Sequence, residues 1–259
     1  MVVLPESSVS SLTINSRVTH SSIKEQMHIA PHVAAEYRFK RVLDLCIGVP
    51  ALLLAFPIMA VVSVLVAAFL GTPVWFRQQR PGLHGKVFTL LKFRTMTDAY
   101  DANGNLLPDD KRVTRFGRFL RSTSLDELPE LLQVIRGQMS IVGPRPLLVG
   151  YLDRYTPFQM RRHEVRPGIT GWSQVNGRNS LTWEQKFAND VWYVEHQSLW
   201  LDIQIIALTL VQIARRKGID QAGVVGATEF MGSKAMESGT RSAAFSICDQ
   251  HGAAKRPTS

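Results

Sequence analysis

A run of 25 residues without a charge, residues 46–70, constrains this chain more than any other feature. It reads CIGVPALLLAFPIMAVVSVLVAAFL. A helix needs about 20 apolar residues to cross a bilayer, so we expect the run to enter a membrane. The alternative is a central core helix of a soluble protein. A secretory signal is excluded because the run begins after more than 40 residues.

The residues in and around the run bear on its topology. Basic residues lie on both sides, so charge favours neither orientation across the bilayer. They are Arg38, Lys40 and Arg41 before the run and Arg77, Arg80 and Lys86 after it. Prolines at 50 and 57 bend a helix because each removes a hydrogen bond and clashes with the preceding turn. We therefore predict a re-entrant helix bent at Pro57, with a spanning helix as the alternative. Asp44 is expected to pair with Arg41 or Lys40.

Composition narrows the class of protein. The net charge is +9, and residues 71–220, with 21 basic and 14 acidic side chains, carry +7 of it. A positive surface suits an anionic membrane, a nucleotide or nucleic acid. Nucleic acid is the weaker interpretation, since no RRM, KH or zinc-finger pattern is present. The two cysteines, Cys46 and Cys248, are too few for a disulfide framework or a zinc cluster.

Hydrophobic periodicity and turn residues give a coarse secondary structure after the run. We predict strands at residues 74–77 and 87–93 and a glycine-spaced loop at 168–177. Helices are predicted over residues 111–121, 125–136, 158–165, 183–196 and 199–217. The sequence shows no internal repeat and no βαβαβ alternation. The predicted fold class is α+β, mainly helical, with short β-strands.

Two adjacent carboxylates, Asp126 and Glu127, begin one predicted helix after Ser124. One interpretation is structural: Ser124 caps the helix, and Glu127 completes a capping box. The other is functional, because a helix N-terminus keeps a carboxylate ionised and offers N–H groups to a phosphate. A carboxylate that attacks phosphorus gives an aspartyl phosphate. The residues alone leave both interpretations open.

Other candidate residues are basic or lie on the last predicted helix. Arg121 ends a series of arginines spaced by three, which is either a solvated helix face or a phosphate contact. Arg145 lies between two prolines, which suits a rigidly held phosphate ligand or a stiff exposed turn. The helix at 199–217 has one apolar face and basic residues at its end, so it lies in the membrane interface or packs on the core. Asp202 near its start is either solvated or functional.

The ordered motifs of the chain carry a resemblance. They are KRVLD at 40–44, RPGL at 80–83, KFRTM at 92–96, DANG at 101–104, LLPDD at 106–110, RS at 121–122, SLDELP at 124–129, GPRPLL at 143–148, RPGITG at 166–171 and QVNGR at 174–178. With them the sequence closely resembles the bacterial sugar transferases, which are monotopic phosphoglycosyl transferases, in their small PglC type. The resemblance covers residues 37–232.

The resemblance implies a reaction and roles for residues. The family moves a sugar-1-phosphate from a UDP-sugar to a polyprenyl phosphate, usually undecaprenyl phosphate, releases UMP and requires Mg²⁺. It places the nucleophile at Asp126, with the metal held there, and the partner glutamate at Glu127. Its substrate- and phosphate-binding residues fall on Lys92, Arg121, Arg145 and Asp202. The PglC type implies an N-acetylated amino sugar such as diacetylbacillosamine, while glucose, galactose and N-acetylgalactosamine stay open.

Composition and the resemblance together predict how the chain is organised. From their composition, residues 1–33 are expected to be a flexible extension and residues 221–259 a partly disordered tail. The resemblance implies that residues 34–70 are a re-entrant membrane helix with a basic flank and residues 71–220 a cytosolic catalytic domain with interfacial amphipathic helices. The protein is then expected at the bacterial inner membrane, with its domain on the cytoplasmic face, among membrane lipids and with homo-oligomers left open. One departure is Phe56-Pro57, where the PglC type has a Ser-Pro pair at the bend.

Overall fold

The computed structural model describes residues 31–177, 180–215 and 229–232, so most of the two predicted terminal regions lies outside the described residues. In chain order the helices are α1 (Pro31–Leu70), α2 (Asp109–Arg112), α3 (Arg115–Ser122), α4 (Glu130–Ile135), α5 (Pro157–Met160), α6 (Trp172–Val175), α7 (Trp183–His196) and α8 (Leu199–Arg215). The strands are β1 (Trp75–Pro81), β2 (Val87–Phe93), β3 (Ser140–Val142) and β4 (Gly168–Thr170). Short 3₁₀ turns cover Leu83–Gly85, Leu125–Glu127, Val149–Arg154 and Arg161–His163. The described part is mainly helical with short strands, as predicted.

Helix α1 contains the whole uncharged run and continues through Pro50 and Pro57. Among the described residues, its segment Phe39–Leu70 is the one helix whose length and composition would suffice to cross a membrane. At 1.5 Å per residue, the segment Phe39–Leu70 is longer than the thickness of the hydrocarbon core of a bilayer. Its apolar surface must therefore be covered by protein, by lipid or by both.

One face of α1 packs against the rest of the protein. Its buried residues recur at every third or fourth position, as a single helical face requires. They are Ala55, Met59, Val62, Val66 and Leu70. They form a hydrophobic cluster with Phe93 of β2 and Leu120 of α3. The opposite face is exposed and just as apolar, and it includes Leu53, Leu54, Phe56, Val61, Val64 and Phe69.

Near its start, α1 is joined to α8 by a buried ion pair. Lys40 Nζ lies 2.6 Å from Asp202 Oδ2, and the two side chains are 8% and 1% exposed. Tyr193 of α7 donates its hydroxyl to the other oxygen of Asp202 at 2.7 Å. A charge buried at this depth is tolerated only when it is paired and hydrogen-bonded, which both partners here are.

Asp44 and Arg41 also contact the domain, and the predicted pairing of Asp44 with Arg41 or Lys40 is wrong. Asp44 Oδ1 accepts hydrogen bonds from Ser140 Oγ at 2.8 Å and from the N–H of Ile141 at 3.0 Å. Arg41 donates to the last carbonyls of α4, including that of Ile135 at 2.6 Å. Because the last carbonyls of a helix lack partners within it, this arginine completes the C-terminus of α4.

Strands β1 and β2 form an antiparallel hairpin, with Trp75 opposite Phe93 and Pro81 opposite Val87. The β2 bounds match the prediction, whereas β1 extends beyond the predicted residue 77. Successive side chains of a strand point to opposite faces. Lys92 therefore shares a face with the buried Leu90, while Phe93 points the other way into the cluster with α1.

The prediction of a loop at 168–177 is wrong, because Gly168–Thr170 forms β4 and Trp172–Val175 forms α6. Strand β4 pairs in parallel with β3, a strand that the sequence did not indicate. The two backbones lie very close: a Cβ atom on Gly168 would be 2.1 Å from the nitrogen of Gly143. These glycines are therefore needed for close packing of the strands and do not mark a loop.

Two predicted helices are interrupted. The one at 111–121 is split into α2 and α3, and Thr114 caps α3 by accepting from the N–H of Gly117 at 3.0 Å. The one at 125–136 is a 3₁₀ turn followed by α4. Ser124 has a left-handed backbone (φ 57°) and its side chain makes no capping bond, so the capping-box interpretation is wrong. The predicted bounds of α7 are confirmed, and α8 matches from Leu199 to Arg215.

The buried ion pair of α1 gives a test of this packing. Asp202→Asn leaves the Lys40 ammonium buried without a counter-charge, so we expect the free energy of unfolding to fall by about 3–5 kcal/mol. Glu229→Gln, which removes the exposed ion pair with Arg154, is the control and should cost less than about 1 kcal/mol. Denaturant unfolding of the protein in detergent measures both. Equal losses in the two variants would contradict the buried pairing.

Candidate active site

A cavity of about 1180 Å³ lies between the β1–β2 hairpin, the turn before α4, the segment after β3 and helices α6 and α7. Five of the residues predicted for the site line it: Lys92, Arg121, Asp126, Glu127 and Arg145. They come from four separate parts of the chain, and the fold brings them together. This cavity is the candidate active site.

Asp126 and Glu127 reach the cavity through a tight turn. The left-handed Ser124 reverses the chain after α3, and Leu125–Glu127 forms one 3₁₀ turn before α4 begins. The N–H of Glu127 donates to the carbonyl of Ser124 at 3.2 Å. A non-glycine residue with positive φ is uncommon and costs energy, so surrounding contacts must hold it in place. The turn therefore fixes the backbone positions from which the two carboxylate side chains extend.

Glu127 is the centre of a charge network. Its Oε1 accepts from Lys92 Nζ at 2.6 Å and also from Arg145 Nη2. Burial by itself would raise the pKa of Glu127, but the adjacent Arg145 and Lys92 outweigh it and hold that pKa well below its usual range. Glu127 is therefore ionised, and its oxygen is occupied by two cations.

Asp126 differs from Glu127 both in its contacts and in the direction of its pKa shift. It is buried, and within the described ranges no side chain or backbone group forms a hydrogen bond or ion pair with its carboxylate. Burial, together with the charge of Glu127, raises the pKa of Asp126 to about 6, while Lys92 and Arg145 limit the rise. Above that pH its carboxylate is charged, poorly solvated and free of partners, which is the condition of an active oxygen nucleophile.

A third carboxylate, Glu130, belongs to the same group and was missed by the sequence reasoning. It is 2% exposed, and its Oε1 lies 2.9 Å from Lys92 Nζ. Burial is the main cause that raises the pKa of Glu130 to about 7; Lys92 opposes it and Glu127 adds to it. Its spacing in the sequence could have indicated it. Glu130 follows Glu127 by three residues and Asp126 by four, and such spacings place side chains on one face of a helix.

Arg121 is held at the cavity by close packing of α3. Its Nε donates to Thr95 Oγ1 at 2.9 Å. Helix α3 can approach this closely because Gly117 has no side chain: a Cβ atom there would lie 1.9 Å from the carbonyl oxygen of Thr95. Of the predicted arginine series, Arg112 also lines the cavity, whereas Arg118 donates back to a nearby carbonyl.

The structure does not bring Asp202 to the cavity, although the sequence reasoning assigned it to phosphate binding. Asp202 is buried against Lys40 and Tyr193 at the junction with α1. Pro57, the predicted site of the helix bend, lies within α1 and likewise does not line the cavity. These two positions belong to the anchoring of α1.

The carboxylates of the cavity show in what way the protein could hold a magnesium ion. Among the described residues no group of three or more His, Cys, Asp or Glu side chains could enclose a metal. Mg²⁺, however, is commonly held by one or two carboxylates together with substrate phosphates and water. Asp126 is the cavity carboxylate that no cation occupies, whereas Glu127 and Glu130 are engaged by Lys92. The residues therefore fit a substrate-bridged ion better than a protein cage.

The raised pKa of Glu130 gives a test by pH. Its native pKa of about 7 exceeds the ordinary 4.5, so the native state holds the proton more tightly than the unfolded chain. The protonated Glu130 carboxyl therefore stabilises the folded state fully below about pH 4.5, and this stabilisation is lost as the pH rises through 7. Glu130→Gln lacks this titration, so its stability should rise relative to wild type across that range.

Denaturant unfolding at several pH values measures the difference. Glu184→Gln, a change at an exposed position, serves as the control and should follow the wild-type profile. A Glu130→Gln profile parallel to wild type would show that Glu130 ionises normally in the folded protein.

Comparison with known proteins identifies the family to which this chain belongs. The family model for bacterial sugar transferases matches residues 35–216. Uncharacterized sugar transferase EpsL of Bacillus subtilis (strain 168) is 53% identical over 194 residues, which cover 75% of this chain and 96% of EpsL.

Two further relatives carry substrate names. UDP-glucose:undecaprenyl-phosphate glucose-1-phosphate transferase of Xanthomonas campestris pv. campestris is 43% identical over 190 residues, 69% of this chain and 39% of that enzyme. Undecaprenyl-phosphate galactose phosphotransferase of Salmonella typhimurium is 37% identical over 196 residues, 69% of this chain and 41% of that enzyme. The chain thus spans about two fifths of these two relatives. The family match over most of the residues shows that this protein belongs to the bacterial sugar transferase family.

Proposed function

We propose that the protein transfers a sugar-1-phosphate from a UDP-sugar to undecaprenyl phosphate and releases UMP. The observation that carries this proposal is that a buried carboxylate without a partner, Asp126, adjoins Glu127, whose Oε1 accepts from two cations. Family membership and the names of two relatives point to the same reaction. The product, a sugar linked to the lipid through a diphosphate, would begin the assembly of a glycan.

In the proposed mechanism Asp126 is the nucleophile. Its carboxylate oxygen attacks the phosphorus that bears the sugar, a bond from aspartate to phosphorus forms, and the diphosphate P–O bond breaks as UMP leaves. An oxygen of undecaprenyl phosphate then attacks the same phosphorus and releases Asp126 as a carboxylate. Each step exchanges one P–O bond for another, so catalysis depends mainly on position and on charge stabilisation.

The cations and Glu127 have separate tasks in this mechanism. Lys92, Arg121 and Arg145, which line the cavity, neutralise the negative charge of the diphosphate. Glu127, with its lowered pKa, is a weak base, so we assign it the task of orienting Lys92 and Arg145. Asp126, with the substrate phosphates, would hold Mg²⁺, which as a Lewis acid polarises phosphoryl oxygens.

We further propose that α1 enters the inner membrane from the cytoplasmic face and returns to that face. Support comes from its contacts, since Lys40 near one end and Leu70 at the other both pack against the same folded domain. A helix that crossed the bilayer would separate these two ends. The exposed apolar side of α1 then lies in lipid.

Helix α8 supports the same placement. Its apolar face is largely uncovered, with exposed Leu199, Ile203, Leu210 and Ile213, while Leu201 and Ile205 pack inward. Trp200 is also exposed, and tryptophan favours the boundary between lipid and water. We assign α8 to the membrane interface, beside the exposed face of α1.

The enzymatic proposal is tested by release of UMP from purified protein in detergent with Mg²⁺, undecaprenyl phosphate and a panel of sugar donors. The panel contains UDP-glucose, UDP-galactose, UDP-N-acetylgalactosamine and UDP-N,N′-diacetylbacillosamine. Asp126→Asn should lose at least about 10³-fold in turnover, because an amide is not a nucleophile. Asp153→Asn, at an exposed position, is the control and should keep wild-type turnover.

Mass spectrometry of the protein with donor but no acceptor should show the added mass of one phosphosugar, absent from Asp126→Asn. Turnover by Asp126→Asn at the wild-type rate would refute the covalent mechanism. Absence of UMP release by wild type with every donor would refute the proposed activity.

The topology of α1 is tested with epitope tags at both ends of the chain. If the helix returns to its side of entry, both tags lie in the cytoplasm. Protease added to intact spheroplasts should then cleave neither tag, and lysis should make both accessible. Cleavage of the N-terminal tag alone in intact spheroplasts would instead show a spanning helix.

A further inference from the structure

A second buried ion pair, Arg162 with Asp190, lies in the wall of the cavity. The Arg162 guanidinium donates from Nε and Nη2 to Asp190 Oδ2, at 3.0 and 2.7 Å. Ser173 Oγ donates to the other oxygen of Asp190 at 2.8 Å. Both charged side chains are about 2–3% exposed. Every oxygen of this carboxylate is thus occupied, and the guanidinium is fixed in one orientation.

The same guanidinium extends to the segment that carries Arg145. Arg162 Nη2 donates to the backbone carbonyl of Arg145 at 2.7 Å. The neighbouring carbonyls are also engaged: that of Pro144 accepts from the N–H of Gly168 at 3.1 Å, and that of Pro146 from Arg80 Nη1 at 3.3 Å. Because prolines have no N–H, hydrogen bonds to these carbonyls supply much of what holds this segment.

The held segment directs the Arg145 side chain at Glu127, to which its guanidinium donates a hydrogen bond. A buried carbonyl that loses its charged donor is left unsatisfied and tends to turn towards another donor. Rotation at the Arg145 carbonyl would swing the backbone from which its side chain extends. A displacement of about 1 Å in a group that binds the reacting phosphate is enough to cost about 10²-fold in rate.

We propose that Arg162 and Asp190 are positioning residues that fix the Arg145 guanidinium for transfer of the phosphosugar. This inference rests on the proposed function, in which Arg145 neutralises the diphosphate. Neither Arg162 nor Asp190 takes part in bond making. A purely stabilising role is a poor explanation, because a buried ion pair often contributes no more to stability than apolar residues of the same volume.

The experiment is a double-mutant cycle of Asp190→Asn and Arg145→Ala, read as kcat and KM of UMP release. Asp190→Asn alone should lower kcat by about 10- to 100-fold, with a smaller change in the KM for the UDP-sugar. In the Arg145→Ala background, the same change should alter kcat by less than about twofold, because the group it positions is gone. Multiplicative effects of the two substitutions would overturn the proposal.

Two further variants complete the design. Ser173→Ala removes one donor to Asp190 and retains the ion pair, so it should show a smaller fall in kcat even where Asp190→Asn fails to fold. Arg161→Gln removes the neighbouring exposed pair with Glu195 and should keep wild-type kinetics. A Ser173→Ala enzyme with wild-type kcat would count against positioning.

Hydrogen–deuterium exchange separates failure of this inference from failure of the proposed function. The peptide that spans residues 143–149 contains the Arg145 amide and can be followed without turnover. Asp190→Asn, or Ser173→Ala to a smaller degree, should speed its exchange relative to Arg161→Gln. Unchanged exchange would overturn the positioning role, whether or not wild type releases UMP.

Discussion

The attraction of two cations to the Glu127 carboxylate is the interaction on which the site depends. Lys92 comes from the hairpin, Arg145 from the segment after β3, and Glu127 from the turn before α4. Since Lys92 and Glu127 are mostly buried, each of these two charges would be costly alone, and with Arg145 they hold three parts of the chain in one place. Asp126 is left out of the network by its position in the turn, and in the proposed mechanism that exclusion leaves it free to attack phosphorus.

Helix α4 connects this network to α1. Its N-terminal side follows the two carboxylates, and its last carbonyls are bound by Arg41. Glu130, in its first turn, shares Lys92 with Glu127. Helix α1 and the turn that carries Asp126 are therefore separated by about two helical turns of rigid backbone. Substrate carried in the bilayer and substrate from water would meet at a fixed depth.

Periodicity predicted the long elements, the resemblance indicated five of the residues that line the cavity, and the failures have physical causes. Helix α7 and strand β2 show clear periodicity, but strands β3 and β4 have three residues each, too few for alternation to appear. The resemblance assigned Asp202 to the site, and nothing near it in sequence shows its actual partner, Lys40, which is 162 positions away. The left-handed backbone of Ser124 likewise depends on tertiary contacts.

The packing of one face of α1 against the domain has a practical consequence. Val62, Val66 and Leu70 fill the same cluster as Phe93 and Leu120, so the anchor supplies part of the domain's own interior. Deleting the anchor to obtain a water-soluble fragment would open that interior and expose the back of the hairpin that carries Lys92. In this protein the apolar helix cannot be removed without also removing part of the interior of the domain that it packs against.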